Sequence, residues 1–116
     1  MTPAERLGLA RRLATDPAVP PATSGGRAAA FLLRAALEDV VRSRVRRRFP
    51  DATEPSFRAE LLTLRATLPP DVAGRVAWAW ATLSAATHVH ASALPPTAEE
   101  IDDWIHVVED LVEGPP

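Results

Sequence analysis

The stretch Val76-Ala77-Trp78-Ala79-Trp80-Ala81-Thr82-Leu83-Ser84-Ala85-Ala86-Thr87-His88-Val89-His90-Ala91 has no acidic or basic residue other than its two histidines and holds two of the three tryptophans in the chain. A segment this long that is apolar or small on every side is the pattern of a helix surrounded by other helices, so it is expected to form the core helix of an all-α fold. Its faces differ in side-chain size. Val76, Trp80, Leu83 and Thr87 form one stripe, which a single bundle can bury. Trp78, Thr82, Ala85 and Val89 form another, whose small residues allow a close backbone approach. That second stripe is expected to be an interface with a neighbouring helix or a second chain.

Working outward from this segment, prolines mark the ends of the other helices. Asp71, after Pro69-Pro70, places negative charge at the start of the fourth helix, which is expected to run to about His90. Upstream, Pro55 is expected to open a third helix in which Phe57, Leu61, Leu64 and Leu68 recur at spacings of four, three and four. Before that, Ala29, Leu33, Ala36, Leu37, Val40, Val41 and Val45 predict a long second helix from near Ser24–Gly26 to about Arg48, stopped by Pro50. On its flank Arg34, Glu38 and Arg42 are four residues apart and can form a ladder of alternating charge. Thr2-Pro3-Ala4-Glu5 reads as a capping box opening a short, peripheral first helix. Thr97-Ala98-Glu99-Glu100 is a second capping box, ahead of a last helix that buries Ile101, Trp104, Ile105, Val108, Leu111 and Val112.

No alternating strand pattern or repeat is present. The expected architecture is therefore a five-helix, mainly antiparallel, up-and-down bundle. Residues 1–23 supply the short N-terminal helix and a Pro-rich linker, and residues 24–116 the bundle core, the two forming one domain. A chain of 116 residues suits one core rather than two. With 47% hydrophobic and 24% charged residues the composition is that of a globular protein, and no run approaches the ~20 apolar residues a membrane span needs. The absence of cysteine removes disulfides, thiolate nucleophiles and zinc–thiolate sites, and fits a cytoplasmic protein.

All 13 basic residues are arginine, and with the abundant alanine this suggests a GC-rich coding genome. Arginine counts therefore carry little functional weight. Arg42, Arg44, Arg46, Arg47 and Arg48 form the densest basic run and are candidates for contacting RNA phosphates, since guanidinium forks match phosphate oxygens. A simpler reading sets these cations against the negative C-terminus of their helix. The net charge of −2 and the lack of a helix-turn-helix signature oppose general nucleic-acid coating and sequence-specific DNA reading. His88 and His90 are weak metal candidates. Two positions rotate a helical side chain by roughly 200°, so they converge only if the helix ends by Thr87. Neighbouring carboxylates favour protonation of His106, but an acidic, solvated helix face is the commoner explanation of that pattern. Nothing points to a nucleophilic triad, a P-loop or a required cofactor.

The order Arg27-Ala28-Ala29-Ala30-Phe31-Leu32-Leu33-Arg34-Ala35-Ala36-Leu37-Glu38, followed later by Leu83-Ser84-Ala85-Ala86-Thr87-His88 and a final amphipathic helix, resembles the HEPN superfamily of small helical domains. The resemblance spans roughly Arg27 to Glu113. It implies an up-and-down bundle that often dimerises, found in RNases of toxin and phage-defence systems and in non-catalytic relatives that bind partners or nucleotides. The catalytic branch carries an arginine four to six residues before a histidine. Here His88 takes the histidine position, but positions 81 to 84 are Ala81, Thr82, Leu83 and Ser84, and the nearest upstream arginine is Arg75. The expected protein is thus a non-enzymatic association domain, homodimeric or partner-binding. The alternative is a metal-independent RNase or nucleotide-binding protein pairing His88 with a non-adjacent arginine, Arg34 or Arg27.

Overall fold

A computed structural model describes residues 1–15, 24–51, 56–88 and 95–114. The described residues form five helices and no strand: α1 (Pro3–Thr15), α2 (Ser24–Arg48), α3 (Phe57–Arg65), α4 (Pro70–Thr87) and α5 (Ala98–Glu113). The all-α class read from the sequence is the one observed.

The centre of the molecule is α2 rather than α4. Twenty-five residues long, or about 37 Å at helical rise, it runs most of the 45 Å length and touches all four other helices. Ala29, Ala30, Leu33, Ala36, Leu37, Val40, Val41 and Val45 are all buried on it. Three alanines in that set let neighbouring backbones approach closely, and the branched residues between them fill the remaining space. By contrast α4 buries only Ala73, Val76, Ala79 and Leu83. Its continuous apolarity made it look enclosed, but small residues cost little when left in water, so all-round apolarity of this kind does not require burial on every side.

Both capping boxes form. Thr2 Oγ1 accepts from the amide of Glu5, and Glu5 Oε1 accepts from the amide of Thr2, each at 3.1 Å. These bonds, the backbone one first, hold the Glu5 carboxyl below the usual glutamate range. The same reciprocal pair joins Thr97 and Glu100 at 3.1 Å. Leu7 and Ala10 bring α1 into the core, and ion pairs from Arg6 to Asp39 and from Arg11 to Glu109 tie it to α2 and α5. It is short but integrated, not peripheral.

Three helix ends differ from expectation. The N-cap of α3 is Ser56, whose Oγ accepts from the amide of Ala59 at 3.2 Å, so the helix opens at Phe57 rather than at Pro55. A serine hydroxyl satisfies an otherwise orphaned first-turn donor, which a proline cannot do. The same helix closes at Arg65, ahead of Leu68, and α4 closes at Thr87 with His88 as its C-cap, ahead of His90. At the far end of α5, Arg44 donates from Nε (3.1 Å) and Nη2 (2.5 Å) to the carbonyl of Leu111. A cation there offsets the negative helix terminus. Gly114 fits beside this contact, for a Cβ on it would stand 2.6 Å from the Asp110 carbonyl oxygen.

Candidate functional site

The faces of α4 can now be assigned. Inward, Ala73, Val76, Ala79 and Leu83 join the core, while Trp80 and Thr87 are half-buried toward α2 and α3. Outward, Asp71, Gly74, Trp78, Ala81, Ala85 and His88 are all exposed, with Trp78 at 42%. Their spacings of three, four, three, four and three make them successive a and d positions of a heptad seam. In a coiled coil such a seam is covered by another helix. Only its two ends, Asp71 and His88, carry charge or can acquire it.

Of the interface residues expected from the sequence, Trp78 and Ala85 lie on this seam and Thr82 beside it; Val89 falls outside the described residues. Thr82 is half-buried, and its hydroxyl accepts from Trp104 Nε1 at 2.7 Å while donating to the carbonyl of Trp78 at 2.8 Å. The contact holds α5 against α4. A second one, Arg75 to Asp110 at 3.3 Å, lies farther toward the start of α4 and the end of α5, so this helix pair runs in opposite senses. Next to the seam opens a cleft of about 390 Å³, whose lining includes Thr82, Ala85, Ala86, Pro96, Glu100 and Trp104. Its walls are mainly apolar, with Glu100 already engaged in its capping box.

A separate cluster lies where α2, α3 and α4 meet. Arg34 sits 5.1 Å from the Trp80 ring, Arg42 sits 5.5 Å from the Phe57 ring, and the two rings are 4.3 Å apart at 50°. Glu38 stands between the arginines, 3.3 Å from Arg34 Nε and 3.7 Å from Arg42 Nη1, and Glu60 of α3 lies 3.7 Å from Arg42 Nε. Arg34 Nε has no aligned hydrogen-bond acceptor, so its contact with Glu38 is electrostatic. The expected charge ladder is thus present, extended by cation–π contacts of Arg34 with Trp80 and of Arg42 with Phe57. Two arginines against two glutamates leave the cluster neutral. It is a cross-brace between helices more than an anion receptor.

The same brace affects the candidate RNase pair. Arg34 Nη1 donates to Thr87 Oγ1 at 2.9 Å, bringing an arginine of α2 to the residue preceding the exposed His88. Arg27 is half-buried one and a half to two turns earlier on α2 and makes interactions of its own. In the arginine run, Arg42 and Arg44 are committed to the contacts described above, whereas Arg46, Arg47 and Arg48 are exposed at the end of α2. Burial moves the Arg44 guanidinium below its ordinary range, with Arg47 adding a smaller repulsion. The run therefore divides into structural and solvated members.

Among the described residues no group of three or more His, Asp or Glu side chains converges as a metal site would require, and His90 lies outside those residues. His106 is exposed, with Nδ1 3.5 Å from Asp102. No described helix is long and apolar enough to cross a membrane. What sequence reasoning misses is the heptad register of the outer face, with Gly74 and Ala81 on it, because that register follows from which face of α4 is buried. In comparison with known proteins, the chain matches no family model, no curated protein and no solved structure.

Proposed function

We propose that this protein is a small, non-enzymatic helical association domain of HEPN-like character, acting in the cytoplasm through the outer face of α4, as a homodimer or beside a protein partner in a toxin–antitoxin or defence system. The observation that carries the reading is the row of exposed residues at a/d spacing along α4, small and apolar around Trp78. The arginines nearest His88 and the aromatic rings are held in intramolecular pairs, as suits a scaffold.

Solution mass across micromolar concentrations tests the homodimeric form of this reading. The wild-type chain is expected to have twice the chain mass, and Ala81→Glu, which places a carboxylate in the seam, to return it to one. A strict monomer over that range overturns the homodimer.

The second reading, a metal-independent RNase, draws on the Arg34–Thr87 hydrogen bond beside His88. A cation to steady phosphate and an imidazole to handle a proton would then come from different helices. It predicts RNA cleavage that His88→Ala abolishes. Purified protein inert on mixed RNA removes it.

A further inference from the structure

The outer seam of α4 is not only open; it is complementary to itself when reversed. In an antiparallel pair of helices, a positions face d positions, and a two-fold axis imposes the same pairing twice. With the axis between residues 79 and 80, Asp71 faces His88 of the second copy, Gly74 faces Ala85, and Trp78 faces Ala81. Every opposed pair matches. The acidic end meets the imidazole end, the glycine meets an alanine, and the one large residue meets a small one.

We propose, resting on the association reading above, that the occupant of this face is a second copy of the same chain, packed antiparallel through α4 in this register. Charge and size both select the occupant. A parallel copy would place Trp78 against the partner's Trp78 and Asp71 against the partner's Asp71, a steric and a like-charge conflict. The flanking positions agree with the antiparallel arrangement: Arg75, already 3.3 Å from Asp110, would face the uncharged Thr82 of the other copy, and Ala77 would face Ser84.

The cleft beside the seam gives the large residue somewhere to go. A knob opposite Ala81 enters the hole formed by Trp78, Ala81, Thr82 and Ala85, and two of these four, Thr82 and Ala85, also line the 390 Å³ cleft. The partner's Trp78 would therefore descend at the mouth of that cleft. Its apolar walls suit an indole, and Trp104, sealed by its bond to Thr82, forms part of the lining. The space and the residue that fills it are both present in one chain.

The chain contains no cysteine, so introduced thiols report pairing without background. Gly74→Cys and Ala85→Cys are mild changes, because a Cβ at Gly74 meets nothing within 4 Å and Ala85 is exposed. Mixing the two single variants and oxidising is expected to give a covalent heterodimer. Ala85→Cys alone is expected to give none, since the two copies of residue 85 lie about 16 Å apart along the axis in this register. A disulfide in the Ala85→Cys sample alone would show a parallel pair and overturn the proposal. So would a dimer by mass in which the mixture does not cross-link, and that result would leave the association reading standing. A chain that is monomeric by mass overturns this proposal together with the homodimeric form of the association reading. As an independent check, Asp71→Arg and His88→Asp should each weaken the dimer by roughly three- to thirtyfold, two pairs being affected at once, and the double variant should recover the loss. Equal weakening in the double variant would contradict the register.

Discussion

α2 and α4 are the two longest helices and each carries a long apolar stripe, yet one is packed against four neighbours and the other leaves an outer face in solvent. The difference lies in where the large residues sit. On α2 the branched side chains Leu33, Leu37, Val40, Val41 and Val45 fall on the buried face, and the outer positions are mainly charged apart from the exposed Phe31. On α4 the large buried side chains are Val76 and Leu83, whereas Trp78 points outward among glycine and alanine. A helix apolar on all sides can thus be a helix with one partner inside the chain and another outside it. Size pattern, more than apolarity, tells the two cases apart.

That comparison can be broken most forcefully at its enclosed end. Leu33→Ala on α2 removes a fully buried side chain and is expected to lower unfolding stability by about 2–5 kcal/mol in denaturant titration. Trp78→Ala on α4, although it deletes more atoms, should change the stability of the isolated monomer by roughly 0.5 kcal/mol or less. Comparable losses at the two sites would mean that the outer face of α4 is not open.

A smaller effect sharpens the role of the arginines. Arg44→Ala strips the cation from the end of α5 and is expected to cost about 1–3 kcal/mol, through the lost bonds to Leu111 and the lost offset of the helix terminus. Arg47→Ala, at an exposed position, should be nearly silent in the same thermal or chemical melt. If both variants fold equally well and both lose RNA binding, the run is a phosphate surface instead.

The smallest change falls on the boundary between the two faces of α4. Thr82→Val keeps the shape of the side chain but leaves Trp104 Nε1 without its 2.7 Å acceptor, and should destabilise by about 1–2 kcal/mol. Tryptophan fluorescence should report the altered environment. An unchanged melt would show that the α4–α5 contact rests on packing alone.

Much of this fold is legible in the residues, for identifiable reasons. The reciprocal caps at Thr2–Glu5 and Thr97–Glu100 depend only on neighbours three residues apart, and the buried stripes of α2 and α5 follow from local periodicity. The start of α3 is not decided by the sequence, because Pro55 and Ser56 are both acceptable openings and the hydroxyl bond to Ala59 chooses between them. Which helix lies at the centre depends on contacts between elements distant in sequence, which the apolarity of α4 alone does not reveal. The site was half legible. Trp78, Thr82 and Ala85 stand out by composition, but the register through Asp71, Gly74, Ala81 and His88 becomes visible only once the inward face is known.

The central claim, that the outer face of α4 pairs two copies of the chain, is tested most directly by the solution mass of wild-type protein beside Trp78→Asp at micromolar concentration. The account predicts a dimer for the wild type and a folded monomer for the variant, with the same helical circular-dichroism signal. A wild-type monomer, or a variant that remains dimeric, would contradict it.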